Sequence, residues 1–581
     1  MKKCWWRGPA GVVLMLLGIT ICAAAGAGRQ SDGASASSDV LIVSGTVVNP
    51  QGDGIEDAEL TFYLNGRSLG PTGQVSTGNQ GAFEVELSLP KGISSDDKLT
   101  MDAARASYKA IEGTPLEHVL VEQVDAGGGR HFIAHINLTL HRDTTPALWI
   151  AAIVLLAVYV FIAFEMMHRT LAALVGSSLL LFISYTLGSF DPGFRILTFD
   201  EAMKSIDGNV IFLLMAMMII VGVLKKTGIF QWTAYKSFQM ARGNIYVLSV
   251  LLMFVTAVTS AFLDNVTTML LIVPVTIEIA LALRIDPLAF LLPEVFASNV
   301  GGTATLIGDP PNIMIGSYAG LTFVQFVENL ALVCFVALAV SSVYFVLWFR
   351  KDYHAAKVSD VPAMTARLRA EYRITDKALL IKGGFVLALT IVLFVMHGSL
   401  HMEPSIAAMA GASLLLVISG VHIVEMVERE VEWPTLVFFM MLFILVAGAE
   451  QTGLIQIVAD WVREASQGSA VLAIVMVIWA SALLSAIVDN IPFTATMLPI
   501  VAYLNESIPG IHGSVLWWAL ALGACLGGNG TLIGASANVV TAGLAEKAGH
   551  PVSFVRFLRV AMVPMLITVA LSTLWLLAFG L

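Results

Sequence analysis

Charge is what this sequence has least of. Asp, Glu, Lys and Arg make up 13% of its 581 residues, against 57% hydrophobic residues, where soluble domains carry about a quarter charged residues. So few charges cannot cover the surface of a soluble protein of this size, which places the chain in a membrane. Basic residues are outnumbered, 32 against 42 acidic, which removes the positive footprint that nucleic-acid binding needs. Cysteine is scarce as well. Cys4, Cys22, Cys334 and Cys525 are scattered and form no CxxC pair, which excludes a disulfide scaffold and leaves no zinc or iron–sulfur signature. No GxxxxGK[ST] loop is present, so the chain alone is not an ATP-driven pump. With no nucleophile constellation either, nothing marks an enzyme, and no cofactor is expected.

Residues 1–27 read as a signal peptide: Lys2, Lys3 and Arg7 precede an apolar core at 12–22, followed by small residues at 23–25. Residues 28–146 are the soluble-looking part. Phe83, Val85, Leu87 and Leu89 alternate with Glu84, Glu86 and Ser88, and Phe132, Ala134, Ile136, Leu138 and Leu140 repeat that period, the pattern of half-buried strands. Glycines at 52, 54 and 81 mark turns between them. The expectation is a small, all-β antiparallel sandwich on the exported side, an accessory domain without a cluster of chemically active side chains.

From residue 147 onward, apolar stretches succeed one another. Lengths suited to crossing a bilayer occur near 147–167, 170–188, 208–225, 288–315, 326–349, 379–397, 404–420, 433–449, 513–541 and 558–580. Two more, 244–283 and 469–504, are interrupted midway by an Asp-Asn pair, which predicts two half-length helices meeting at a tip inside the membrane. Between 350 and 382 lie eight basic residues (Arg350, Lys351, Lys357, Arg367, Arg369, Arg373, Lys377 and Lys382) against four acidic ones. The positive-inside rule makes 350–378 a cytoplasmic loop. It separates a first half, 147–349, from a second, 379–581, and leaves the N-terminal domain and the C-terminus outside a membrane expected to be the bacterial inner one.

The halves repeat. Lys226-Thr227-Gly228-Ile229 answers Gln451-Thr452-Gly453-Leu454; Asp264-Asn265-Val266 answers Asp489-Asn490-Ile491; and the run from Gly301 to Gly308 answers the run from Gly527 to Gly534. Chance does not hold three motifs in register at offsets of 225, 225 and 226 residues. Five spans per half is an odd number, so the second repeat is expected upside down, each repeat with a re-entrant hairpin and a broken helix. Paired interruptions of that kind point to a secondary transporter with its site at the repeat interface.

These motifs, with Asp309-Pro310-Pro311-Asn312 and Ala535-Ser536-Ala537-Asn538 completing the glycine-rich runs, resemble the branch of the ion transporter superfamily that holds the P protein, arsenite permeases and NhaD-type sodium/proton antiporters, with a citrate transporter-like domain. The resemblance covers about residues 145–581. It implies an elevator-type carrier, usually a homodimer, whose ligand sits between hairpin tips and unwound helices. A separate ATPase subunit is known in the arsenite branch, and nothing in this chain calls for one.

On that resemblance the ion- and substrate-binding candidates are Asp264, Asn265, Thr267 and Thr268 at the first tip and Asp489, Asn490, Thr494 and Thr496 at the second. Gly301, Gly302, Thr303, Thr305, Asp309 and Asn312 belong to the first broken helix, and Gly527, Gly528, Asn529, Thr531 and Asn538 to the second. A carboxylate in apolar sequence costs a few kcal/mol even on insertion scales, so Asp264 and Asp489 are either coupling residues for sodium or protons, or caps of half-helices. The glycine pairs are expected to unwind their helices, and Pro310-Pro311 to make the first unwound element the longer or stiffer one. Asp309 faces Ala535 in the repeat, so the first half is the candidate carrier of the cation. Glu294 is a candidate for a proton path; Glu278, Glu450, His397 and His401 are expected to be solvated and Glu165 to lie at the cytoplasmic edge. The half-sites look neutral, hydroxyl and amide in kind, with no inward arginine. The expected function is a secondary carrier coupling sodium or protons to a small anion or cation, with arsenite or antimonite efflux and a passive anion channel as alternatives.

Overall fold

The structure, a computed structural model, describes residues 39–579 except 50–51, 53, 56–57, 70–74, 90–96, 106–107, 117, 125–129, 142–143, 357–360, 509 and 512. The signal peptide expected at 1–27 lies outside the described residues. Two compact units emerge, Met1–Asp143 and Thr144–Leu581.

In the first unit the alternating residues build strands β1 (Asp39–Val48), β2 (Glu59–Leu64), β3 (Arg67–Leu69), β4 (Val75–Ser76), β5 (Ala82–Leu89), β6 (Leu99–Ala104), β7 (Ile111–Pro115), β8 (His118–Val124) and β9 (Arg130–Thr139). They form two sheets, ordered β5-β1-β9-β8 and β3-β2-β6-β7, with β4 paired to β2. Successive side chains of a strand point to opposite faces. Hence Leu41, Val43, Phe83, Leu87 and Phe132 of one sheet share a core with Leu60, Phe62, Leu99 and Met101 of the other. The sandwich is not antiparallel throughout, contrary to the expectation from sequence. β1 runs parallel to β9, with Leu41 opposite Phe132 and Val43 opposite Ala134. The chain between these two strands builds the other sheet as well as β5 and β8, and such a long connection is what parallel pairing requires.

The second unit is helical. Its first half runs through α1 (Pro146–Ala163), α2 (Arg169–Phe190), the short α3 (Phe199–Lys204), α4 (Gly208–Lys225), α5 (Ile229–Ala241), α6 (Ile245–Ser260), α7 (Asn265–Ala282), α8 (Leu288–Thr303), α9 (Pro310–Ala319) and α10 (Phe323–Trp348). The polar connection holds α11 (Arg350–Ala355) and α12 (Val361–Glu371). The second half runs through α13 (Lys377–Met396), α14 (Pro404–Ser419), the short α15 (Ile423–Glu425), α16 (Trp433–Gln451), α17 (Leu454–Ala465), α18 (Ala470–Ser485), α19 (Asn490–Ser507), α20 (Val515–Gly527), α21 (Ser536–Lys547) and α22 (Phe554–Phe579). Among the described residues, eight helices are long and apolar enough to cross a membrane: α1, α2, α4, α7, α10, α13, α16 and α22.

The repeat seen in sequence is a repeat of packing. α4 lies on α14 as α2 lies on α16, α6 on α8 as α18 on α20, and α7 on α21 as α19 on α9. The Thr-Gly motif has the same local purpose in both halves. Gly228 (φ 75°) and Gly453 (φ 81°) take the left-handed turn between a long helix and the amphipathic helix after it, a conformation that costs other residues about 1–2 kcal/mol. The Asp-Asn interruptions end α6 and α18 and start α7 and α19.

Two expectations about the broken helices are corrected. Gly301 and Gly302 lie inside α8 and so do not unwind it, whereas Gly527 ends α20 and Gly528 opens the second break. Gly301 and Gly527 let the helices touch: a Cβ on Gly301 would lie 2.1 Å from the Ala257 carbonyl oxygen, and one on Gly527 2.4 Å from that of Ala482. The first unwound element, residues 304–309, is shorter than the second, 528–535. Pro310 and Pro311 occupy the first turn of α9, where the missing N–H has no partner to lose, so they restart a helix early instead of prolonging the break. His397 is also not solvated. It is buried, its Nε2 accepting from the Phe323 amide at 3.1 Å and its Nδ1 lying 3.0 Å from the Met402 carbonyl.

Candidate functional site

The hairpin tips and the breaks bring four helix N-termini together. A small cavity of about 30 Å³ is lined by Asp264, Asn265 and Val266 at the head of α7, Asp309 and Pro310 at α9, Asn490 and Ile491 at α19, and Ser536 at α21, with Arg169, Leu214, Met218, Glu432 and Thr435 completing it. Unpaired N–H groups give each helix start a positive partial charge, and three of the four starts carry an aspartate. Asp264 accepts from the Thr267 amide at 2.9 Å and Asp489 from the Ile491 amide at 3.3 Å. Both are therefore caps, whatever else they do. Asp309, the residue without an acidic counterpart, is 1% exposed and accepts from Asn490 Nδ2 at 3.2 Å, so the first broken helix meets the second tip at this carboxylate.

Most of the other residues nominated from sequence hold the backbone of this centre without lining the cavity. Asn312 Nδ2 donates to the carbonyls of Gly302, Thr303 and Thr305; Asn538 Nδ2 does the same for Gly528 and Thr531, both at 2.8 Å. Those freed carbonyls are thus already engaged. The hydroxyls of Thr305 and Thr531 donate to Ala261 and Ala486 in the hairpin tips, while those of Thr303 and Thr494 return to their own helices. Thr496 pairs with Pro492 and Tyr159. The Thr268 hydroxyl is buried with no hydrogen-bond partner among the described residues. Across the centre, Asn265 donates to Asn299 at 3.0 Å, and Asn299 donates to Asn529 at 2.9 Å and Asn538 at 3.1 Å. Gly302 and Gly528 fit because the loop carbonyls of Gly308 and Gly534 approach their α-carbons too closely for a side chain. Glu294 is fully buried in α8, takes a bond from Thr276 at 2.9 Å, and stays away from the cavity.

Sequence reasoning missed Arg169, Glu432, Thr435 and Ser536, and the first overturns the reading of a neutral site. Arg169, at the start of α2, donates to Ser536 Oγ at 2.6 Å and Thr435 Oγ1 at 3.1 Å, lies 3.6 Å from the Asp489 carboxylate, and covers the Phe438 ring. Ser536 in turn donates to Asp489 at 2.9 Å. In sequence Arg169 looks like an ordinary basic residue at a membrane edge. Ser536 was within reach, since the 226-residue offset puts a hydroxyl where the first half has Pro310.

Beside the small cavity opens a cleft of about 680 Å³, lined by Glu165, His168, Arg169, Glu432, Thr435, Asp489, Ser536 and apolar residues of α1, α7 and α21. That volume suits a small organic ligand. The segment before α16, at the cleft's polar end, is tied to α4 by Lys225–Glu430 and Lys226–Glu425 pairs, both at 3.1 Å. Hydrogen bonding and charge from Lys226 hold the Glu425 carboxyl below its ordinary range. Thr375 bonds to the Lys226 carbonyl, so the basic connection lies at this end of the bundle. Beyond the cleft, α8 and α20 are buried along their full lengths.

Residues 159–523 match the family model described as "CitMHS: Citrate transporter". The chain is 43% identical over 429 residues to an uncharacterized transporter of Mycobacterium tuberculosis, covering 74% of this chain and 97% of that one. It is 35% identical over 503 residues to the P protein of Homo sapiens, covering 74% of this chain and 59% of that protein. Among solved structures, the YdaH transporter of Alcanivorax borkumensis superposes with a TM-score of 0.51 at 16% identity, over 71% of this chain and 99% of that one, a likeness of fold.

Proposed function

The chain belongs to the CitMHS citrate transporter family, and on that premise we propose a secondary active carrier that moves a small carboxylate-class anion together with sodium or protons. The observation that carries this reading is Arg169, a guanidinium on the floor of a ligand-sized cleft, next to a smaller cavity walled by carboxylates. A guanidinium matches a carboxylate in geometry and charge. The small cavity has room for one water or a bare cation, with Asp264 and Asp309 as its anionic ligands. A neutral arsenite would gain little from the arginine, which favours the anion over the efflux reading. A carrier fits better than a channel because the cavity beside the cleft is only about 30 Å³ and α8 and α20 are buried along their full lengths.

The mechanism follows from the two halves. An odd number of crossings turns the second repeat over, so one hairpin enters from each side and the tips meet near the midplane. The hairpins with α8, α9, α20 and α21 form the moving part, and α1, α2, α4, α13, α14 and α16 the support, shared in a homodimer, against which it slides as an elevator. Uptake into proteoliposomes tests this with citrate, simpler dicarboxylates and arsenite side by side, under a sodium or a proton gradient. Saturable accumulation of a carboxylate that needs one of the gradients is the expected result. Non-saturating flux without accumulation means a channel, and movement of arsenite alone means an efflux permease.

Two further outcomes are expected. A cysteine at Ser88 is labelled by an impermeant reagent in sealed cells and one at Ala366 is not, because ten crossings and two re-entrant hairpins return the chain to its starting side. Labelling at Ala366 would contradict the inverted arrangement. Removing residues 40–140 with the leader retained leaves transport within about twofold, since every residue lining either cavity lies after residue 161. Loss of flux in a truncated protein that still inserts would make the sandwich part of the machinery.

A further inference from the structure

Arg169 and Asp489 are 320 positions apart and belong to different parts of the bundle. Arg169 starts α2, which packs on α1 and α16, whereas Asp489 is the tip of the second hairpin, which packs on the broken helices. Their side chains are 23% and 11% exposed, and both line the cleft. The guanidinium is spread over three acceptors from three elements: Asp489, Ser536 and Thr435. The other charged groups around Asp489 are mostly of its own sign. Glu432 stands at the head of α16, Asp264 at α7 and Asp309 at α9, while Glu165 and His168 line the cleft from the α1–α2 turn. Arg169 is the one fixed cation that both cavities share among the described residues.

Resting on the carrier reading above, we infer that Asp489 is a built-in substitute for the transported anion, which takes Arg169 over and thereby obliges a cation to bind. When a carboxylate enters the cleft, its best partner is the guanidinium, because fork-to-fork pairing gives two parallel charge-assisted bonds. Asp489 then loses its counter-charge in a site where it is nearly buried. Removing one partner of such a pair leaves an uncompensated charge, which is strongly unfavourable. A monovalent cation, sodium or a proton, restores the balance at Asp489, separately from the cation that Asp264 and Asp309 hold in the small cavity; Ser536 Oγ already donates to the Asp489 carboxylate. At this pair the charges close: one carboxylate group arrives at Arg169 and one cation arrives at Asp489, while any further carboxylate of the ligand remains in the open cleft. Anion and cation therefore bind together, which makes the device a symporter and not an exchanger. Breaking the same pair also unties α2 from the second hairpin and α21, so loading and release of the moving part are one event.

The test uses the purified full-length chain and reads its thermal midpoint in sodium or potassium, at acidic and neutral pH, with citrate as the probe anion. In R169Q, Asp489 lacks its partner from the start. Sodium or acidification is expected to raise the midpoint of R169Q by several degrees more than that of the wild type without any citrate, and the R169Q/D489N double variant to lose this extra response. Identical responses of R169Q and the double variant would overturn the inference. Whether sodium or acid produces the shift identifies the cation. If R169Q does not fold, R169K keeps the charge without the fork and is expected to show a smaller response of the same kind, again lost in R169K/D489N. With citrate, the wild type is expected to be stabilised only when sodium or acid is also supplied, and D489N to be stabilised without either. Citrate binding weakened by the cation would indicate exchange and refute the proposal. If citrate shifts none of the proteins, the citrate reading fails, while the comparison of R169Q with the double variant still decides the Arg169–Asp489 exchange.

Discussion

Asp309→Asn is expected to lower cation-driven flux by about 100-fold or more while leaving the amount of inserted protein unchanged. Asp309 is the acidic residue that the second repeat lacks, buried at 1% exposure and bonded through both carboxylate oxygens to Asn490 Nδ2, at 3.2 and 3.4 Å. Asparagine has the same shape, so packing around α9 is kept. What disappears is the charge proposed to hold a cation in the small cavity. A charged contact in a water-poor site is worth about 3 kcal/mol, and that is a factor of about 100 in an equilibrium constant. Flux per inserted molecule in proteoliposomes measures it. Wild-type flux in this variant would move the cation elsewhere. Asp264→Asn is the sharper companion, because asparagine caps a helix about as well as aspartate. If Asp264 only caps α7 through Thr267, the variant behaves as wild type; if it shares the cation with Asp309, flux falls by about tenfold, which is the outcome expected from its place in the cavity wall.

The second large effect is on folding. Gly301→Ala and Gly527→Ala are each expected to cost about 3 kcal/mol or more, the upper range for overpacking a filled interior, and to remove most of the monodisperse protein. The added carbon would sit 2.1 Å from the Ala257 oxygen and 2.6 Å from two further backbone atoms of Ala257; at Gly527 the nearest atom is the Ala482 oxygen at 2.4 Å. These obstacles are backbone, so no side chain can swing aside, and the only relief is to push α8 from α6 or α20 from α18. That would also displace the tips that carry Asp264 and Asp489. Gly384 and Gly543 are the controls, since a carbon there meets nothing within 4 Å. Alanine at either is expected to be neutral or slightly stabilising, helices favouring alanine by up to about 1 kcal/mol. Size-exclusion profiles and thermal midpoints distinguish the two pairs.

Much of the layout was legible before any coordinates. The interrupted stretches became pairs of helices meeting at Asp-Asn caps, because a cap is a local device: an aspartate accepts from an amide two or three residues on, and both partners lie in the same short stretch of sequence. The alternating residues of β5 and β9 are buried on one side for an equally local reason. The matched motifs also predicted which residues would lie near one another, as Asn312 and Asn538 do in holding the two breaks. Direction was less legible than position. The threonines of the tips and breaks were read as ligands, yet most of their hydroxyls are spent on carbonyls one turn away or in the neighbouring hairpin, and a sequence does not state where a hydroxyl points.

What the sequence determined by itself is the membrane class, the duplicated layout with its Asp-Asn interruptions, and the small β unit ahead of it, since each rests on composition or on residues close together in the chain. Tertiary structure alone decided the parallel pairing of β1 with β9, the order in which the unwound elements differ in length, and above all the pairing of Arg169 with Asp489, Ser536 and Thr435. That last contact depends on α2 packing beside α16 and on the second hairpin and α21 coming to the same place. An arginine at a helix end near a membrane surface has the same local sequence whether it faces water or a buried carboxylate, and only the packing of distant helices sets it beside Asp489 in the wall of the cleft.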